Sequence, residues 1–208
     1  HNDMFPRRGP VTGPRPFAAQ GTDDNRWDLW YNEARFCNKG VEPMKQWDKA
    51  AVYRLLTERG IWHEITEHPA VYNMEEMAAV DLPYPEADGK NLFVRDDKKR
   101  QYYLIIVRGD KRVDLKAFRQ ANHTRPLSFA SAEDLWEKLG LTPGSVTPLG
   151  LLGSEGGQVE LFLDQAFLDL PGLIGVHPND NTATLWLRTQ DLITLLEDHG
   201  AVVHVVPL

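Results

Sequence analysis

A single cysteine, Cys37, is the whole thiol complement of this 208-residue chain. One thiol excludes an intramolecular disulfide and any zinc cluster built on cysteines, and it points to a reducing compartment. Long hydrophobic runs are also missing. The longest, Tyr102-Tyr103-Leu104-Ile105-Ile106-Val107, has six residues, where a membrane span needs ~20. No N-terminal stretch joins basic residues to an apolar signal-peptide core, so a cytoplasmic protein with no membrane role is expected. An excess of positive charge is absent too. The net charge is −7, which argues against a general nucleic-acid coat protein, whose affinity would rest on a cationic surface.

Seven histidines are present, yet none has metal-site spacing. In His63-Glu64-Ile65-Thr66-Glu67-His68 the histidines are five apart rather than four, so a helix would not put both on one face, and the segment reads as a strand. No metal or other cofactor is expected. The glycine-rich stretch from Gly150 to Gly157 lacks both phosphate-loop spacings and reads as a turn between strands.

What the chain does have is an ordinary globular composition, 42% apolar and 25% charged, enough to bury a real core. Its charge is uneven. Residues 1–94 carry 11 basic and 15 acidic side chains, residues 95–119 nine and four, and residues 120–208 three and eleven. The middle segment is therefore +5 between stretches of −4 and −8. Solvated strand edges and a helix face account for such a run, and so does a patch that steers a polyanion onto an acidic body.

Residues 1–43 read as a flexible extension. The first 26 hold only six apolar residues among four prolines and three glycines, too little burial to repay ordering. The folded domain is expected over 44–208. Asp48 caps a helix that Gly60 stops, and Asn73 to Val80 reads as a second helix. Asn91–Arg95 and Gln101–Val107 form a hairpin, and helices follow at Leu115–Ala121 and from Ser131 to Gly140. Leu149–Leu152, Gln158–Leu163, Leu173–Val176 and Ala183–Leu187 read as strands. Thr189 caps a last helix before a strand at Val202–Val206. Without a regular βαβ rhythm, this predicts an α+β fold: a mixed, largely antiparallel, barrel-like sheet with peripheral helices.

Three segments carry polar residues where strands and turns are normally plain. Gly89-Lys90-Asn91-Leu92-Phe93 puts a lysine at the start of an apolar strand. Gly144-Ser145-Val146-Thr147-Pro148 frames a turn between glycine and proline, a loop able to aim backbone N–H groups at one point. Val176-His177-Pro178-Asn179-Asp180-Asn181-Thr182-Ala183-Thr184 is a dense polar loop after a strand. Together with Glu67-His68-Pro69-Ala70-Val71 and in this order, they resemble the bacterial aminoacyl-tRNA editing domains of the YbaK/ProX type. Those are free-standing relatives of the editing domain inserted in prolyl-tRNA synthetase. The resemblance spans roughly residues 45–207.

It implies hydrolysis of a mischarged aminoacyl-tRNA, with the Lys90-Asn91 pair closest to the deacylases that clear alanine from proline tRNA. It also implies a monomer that takes the tRNA acceptor end and partners prolyl-tRNA synthetase. Lys90 would stand at the terminal phosphate as a point charge. Gly144 and the loop to Pro148 would serve the developing oxyanion. His177 would position the ester or a water, and Asn91, Pro178, Asn181 and Thr182 would contact the substrate. No Ser-His-Asp set is evident. An aminoacyl ester is already activated, so positioning and electrostatics suffice without a covalent nucleophile. A non-catalytic module that holds an aminoacyl or nucleotide end for a synthetase is the alternative.

Overall fold

A computed structural model describes residues 47–71, 76, 80–154 and 157–208. The N-terminal extension, most of the segment expected as a helix at Asn73–Val80, and the tip of the Gly153–Gly157 turn lie outside the described residues.

Helix α1 (Lys49–Glu58) starts where Asp48 accepts a hydrogen bond from Ala51 N at 2.7 Å, and it buries Val52 and Leu56. A first strand, β1 (His63–Glu67), is followed by the hairpin β2 (Gly89–Asp96) and β3 (Tyr102–Arg108). Helix α2 (Leu115–Asn122) leads to the short β4 (Leu127–Phe129). Helix α3 (Ala132–Leu139) opens with a reciprocal capping box between Ser131 and Asp134, so two N–H groups that the first turn would leave unpaired are satisfied. Then come β5 (Val159–Asp164), β6 (Leu173–Val176), β7 (Ala183–Arg188), α4 (Thr189–Asp198) and β8 (Val202–Val206).

The strands form two sheets that do not close into a barrel. One has the order β1-β7-β6, all antiparallel. The other has the order β4-β2-β3-β5-β8, with β4, β2 and β3 antiparallel and β5 and β8 running parallel to β3. The expected α+β architecture, largely antiparallel with peripheral helices, is the one observed.

Pleat alternation splits the five-stranded sheet between two cores. Phe93, Leu104, Ile106, Leu161 and Leu163 face the main core, which they share with Ile174, Val176, Leu185 and Leu187 of the smaller sheet. Leu92, Val94, Ile105, Val107 and Phe162 face a second cluster, closed by Phe118 of α2.

Two local expectations are corrected. Leu149–Leu152 lies within a 3₁₀ helix, Pro148–Gly153, rather than a strand. Pro148 sits in the first turn, where its missing N–H costs nothing, and Gly150 lies so close to Leu141 that a Cβ would come within 2.6 Å of its Cδ1. Thr189 is the first residue of α4 rather than its cap, and its buried hydroxyl donates to Phe167 O at 2.7 Å.

Trp186 is fully buried, and its indole N–H donates to Thr66 Oγ1 at 2.9 Å across the β1–β7 pair. Its ring covers Gly175 so closely that an added Cβ would meet three ring carbons at 2.5–2.9 Å. Gly175→Ala is therefore expected to destabilise the fold by roughly 1–3 kcal/mol through overpacking, read as a lowered melting temperature.

Candidate active site

His177 leaves the end of β6, and Ala183 opens β7, so the loop 177–182 is a turn between two paired strands. Its sequence suits a tight reversal. Asn179 takes a left-handed φ of 59°, a conformation that asparagine tolerates better than most residues. It is buried, and its amide donates to Trp47 O at 2.7 Å, which anchors the loop to the segment before α1. Asp180 Oδ1 accepts from Thr182 N at 2.9 Å and from the Thr182 hydroxyl. Lys49 of α1 reaches the same loop, donating to Thr182 Oγ1 at 3.2 Å and pairing with Glu67 at 2.6 Å. Asn181 exchanges hydrogen bonds with Val71: its amide donates to Val71 O at 3.0 Å, and Val71 N donates to Asn181 O at 3.2 Å. Pro178 is buried beside Asn179.

The His177 ring has a defined tautomer. Its Nδ1 lies 3.0 Å from Ala183 O; a carbonyl only accepts, so Nδ1 carries the hydrogen and Nε2 keeps a lone pair. Burial pushes the His177 pKa below its ordinary value and nearby His68 adds to this, while the Ala183 carbonyl and Asp180 oppose it. The ring is thus neutral at pH 7, an acceptor rather than a cation. His68 stands edge-on to it, with centroids 6.1 Å apart. The two residues are 109 positions apart in the chain, and β1–β7 pairing brings them together. His68 Nδ1 lies 2.9 Å from Pro69 O and Nε2 3.0 Å from Thr184 Oγ1. His68 and Thr184 were legible only as parts of a family pattern; their mutual contact needs the sheet register.

The Gly144–Pro148 loop joins the same cluster. Gly144 has a φ of +89°, which glycine adopts freely. Ser145 folds back on Thr142, its hydroxyl donating to Thr142 O at 2.8 Å. Fully buried Thr147 donates its hydroxyl to His177 O at 2.7 Å, so the glycine–proline loop and the histidine loop form one unit. Thr147→Val, close in shape, leaves that partly buried carbonyl without its donor. It is expected to cost ~1–3 kcal/mol, seen as a fall of several degrees in melting temperature.

Lys90 stands apart from this cluster. It is half-buried at the start of β2, and its amine donates to Lys111 O at 3.1 Å. Alternation along β2 sends Lys90, Leu92 and Val94 to the α2 side, and Asn91 and Phe93 to the main core shared with β6. Asn91 Oδ1 is buried and has no hydrogen-bond partner among the described residues. A buried acceptor left unpaired costs ~1–3 kcal/mol, and a donor supplied by a ligand would recover it. Beside Lys90, burial raises the Asp88 pKa, with the Gly89 N–H and the Lys90 charge opposing. Among the described residues no cluster of three His, Cys, Asp or Glu side chains has the geometry to hold a metal ion. No described helix is long and apolar enough to cross a membrane.

The arrangement is therefore a neutral imidazole acceptor, a buried glycine–proline loop fastened to it, an unpaired amide oxygen and a lysine on the other face of the same strand. Residues 68–195 match the family model of the aminoacyl-tRNA editing domain. The chain belongs to that family. As an editing domain it is an enzyme, an aminoacyl-tRNA deacylase that acts on mischarged tRNA. It is 39% identical over 152 residues to the prolyl-tRNA editing protein ProX of Acetoanaerobium sticklandii, covering 73% of this chain and 92% of that one. It is 34% identical over 155 residues to the prolyl-tRNA synthetase associated domain-containing protein 1 of Bos taurus, covering 73% and 90%. A shorter stretch, half of this chain, is 31% identical to 17% of a proline–tRNA ligase from Bacillus velezensis. Among solved structures, a candidate trans-editing enzyme for prolyl-tRNA synthetase superposes with a TM-score of 0.55 over 80% of this chain and 99% of that one. At 23% identity it speaks for the fold.

Proposed function

We propose that this editing domain removes alanine from mischarged proline tRNA in trans, acting on the acceptor end as a free-standing partner of prolyl-tRNA synthetase. The observation that carries the reading is the Thr147–His177 hydrogen bond at 2.7 Å. It fastens the glycine–proline loop to the histidine loop, so that the two loops would act together on a small aminoacyl ester. The similarity to a protein named for prolyl-tRNA editing supports the choice of tRNA.

In this reading the ester enters on the main-core side of β2. The unpaired Oδ1 of Asn91 accepts from the substrate's α-amino group, recovering the hydrogen bond it lacks. Gly144 to Pro148 supplies amides to the oxyanion. His177 Nε2 and the loop through Pro178, Asn181 and Thr182 confine the aminoacyl group. Lys90, on the other side of the strand start, meets the terminal phosphate. Water attacks with help from the substrate's own neighbouring ribose hydroxyl. Residues 44–208 form the editing unit, so a chain begun at Met44 keeps its melting temperature and its deacylase activity. Loss of cooperative unfolding in that shorter chain would put the first 43 residues inside the fold.

The test is a deacylation panel with alanine, cysteine, serine and proline on the same proline tRNA. Alanine is expected to be released fastest and proline spared. Faster release of cysteine or serine would move the specificity elsewhere.

A pH profile tests the neutral imidazole. The His177 pKa is depressed in the fold, so deacylation is expected to hold from neutral pH down past ~6.5, the ordinary histidine value, and to fall only below it. The linkage sign agrees: the unfolded chain takes up this proton first, so the stability tied to neutral His177 is present above ~6.5 and declines as pH falls toward the folded value. An acid limb at or above ~6.5 that His177→Ala removes would contradict the depressed pKa.

A further inference from the structure

We infer that the outer face of α2 is the docking surface for the phosphate backbone of the tRNA acceptor stem; this rests on the editing reading above. The helix has two distinct sides. Phe118 and Leu115 pack inward on the second core cluster, and Asn122 turns its amide back to Phe118 O at 3.0 Å. Lys116, Arg119 and His123 are exposed and recur at three- and four-residue spacing, and exposed Arg112 precedes the helix by the same interval. Within the helix that spacing puts Lys116 and Arg119 on one side, with His123 at the C-cap and Arg112 in the segment that leads in. Lys116 and Arg119 form no salt bridge among the described residues, unlike Arg108, Lys111 and Arg125, which pair with Asp110, Asp164 and Asp97. The one carboxylate at the helix start, Asp114, accepts from Lys116 N and Ala117 N as the cap.

The position of this face is as informative as its charge. Lys90 projects to the α2 side of the sheet, and the carbonyl it binds, Lys111 O, immediately precedes Arg112. From there α2 runs back along the sheet toward β4, which pairs with the far end of β2 at Val94–Asp96. Beyond that end lies the hairpin with exposed Lys98, Lys99 and Arg100. Lys116 and Arg119, with the turn at residues 98–100 beyond them, thus form a track that starts at Lys90, while Arg95 of the same charged segment faces the other side and pairs with Asp134. Eight strand residues at ~3.4 Å each make it roughly 27 Å long, enough to follow several successive phosphates of a duplex. A stem whose 3′ end turns in at Lys90 would lie along α2. On an acidic body, this face is where a polyanion meets Lys116 and Arg119, which form no salt bridge among the described residues.

The experiment measures binding of uncharged proline tRNA to the full chain across a salt series, alongside deacylation of the mischarged tRNA. For Lys116→Ala/Arg119→Ala, the slope of log affinity against log salt is expected to become shallower by about 1.4–1.8, the loss of two phosphate contacts. At low salt affinity should fall about tenfold, with the deacylation loss in KM rather than kcat. The charge-preserving pair Lys116→Arg/Arg119→Lys should restore the slope. A wild-type slope in the alanine double variant overturns the inference and leaves the editing reading intact. Slopes that change as stated, in a protein that releases no amino acid from any mischarged tRNA, uphold the surface and remove the editing reading instead.

Discussion

Replacing Lys90 with alanine is expected to lower kcat/KM for mischarged tRNA at least tenfold while leaving the melting temperature nearly unchanged. A charge-assisted hydrogen bond to a terminal phosphate contributes about 1.5–3 kcal/mol, and ~1.4 kcal/mol corresponds to a factor of ten. The folded protein has much less at stake. The Lys90 amine is half-exposed and makes one hydrogen bond, to Lys111 O, so its removal leaves no buried ion unpaired. One local readout accompanies the kinetic one. The Lys90 charge offsets the burial that raises the Asp88 pKa, so in the variant that carboxyl should titrate at still higher pH. Unchanged deacylation with a shifted Asp88 would show that the side chain had gone without consequence, and Lys90 would leave the site.

A mischarged tRNA whose terminal adenosine lacks the hydroxyl beside the esterified one is expected to turn over far more slowly, by about 10²–10⁴-fold, the scale of a positioned proton-transfer group. Among the described residues no side chain is evident as a substitute. His177 is held neutral with its Nδ1–H committed to Ala183 O, and a base whose pKa is depressed accepts protons weakly. His68 has both ring nitrogens engaged, with Pro69 O and Thr184 Oγ1. The ribose hydroxyl is held near the carbonyl by the sugar itself, so its placement costs little entropy. The deoxy substrate should still bind, because phosphate and stem contacts remain. Equal turnover of deoxy and normal substrates would sink substrate assistance and make His177 the leading general base.

Local signals carried much of the architecture. Ser131 and Asp134 announced a capping box three residues apart, and that box is present. The run Tyr102–Val107 read as a strand, and it is the central β3, paired on both sides. Leu149–Leu152 misled because a short apolar run has no period of its own; Pro148 in front of it was the stronger signal. Thr189 had the look of a cap, but its hydroxyl was needed by Phe167 O, a partner 22 residues away. The site was legible as separate segments and not as geometry. That Lys90 and Asn91 face opposite sides follows from strand alternation alone. That Thr147 fastens the His177 loop, or that His68 stands beside His177, depends on pairings over 30 and more residues, which no local pattern encodes.

Catalysis on an alanyl ester carried by proline tRNA is tested most directly by turnover. The protein, at one-hundredth the concentration of alanylated proline tRNA, is mixed with it, and free alanine is followed against spontaneous hydrolysis. Release of many equivalents of alanine per protein, with correctly charged prolyl-tRNA left intact beside it, is the expected result. Release that stops at or below one equivalent, or that matches the protein-free rate, would contradict the account and leave a module that binds the acceptor end without cleaving it.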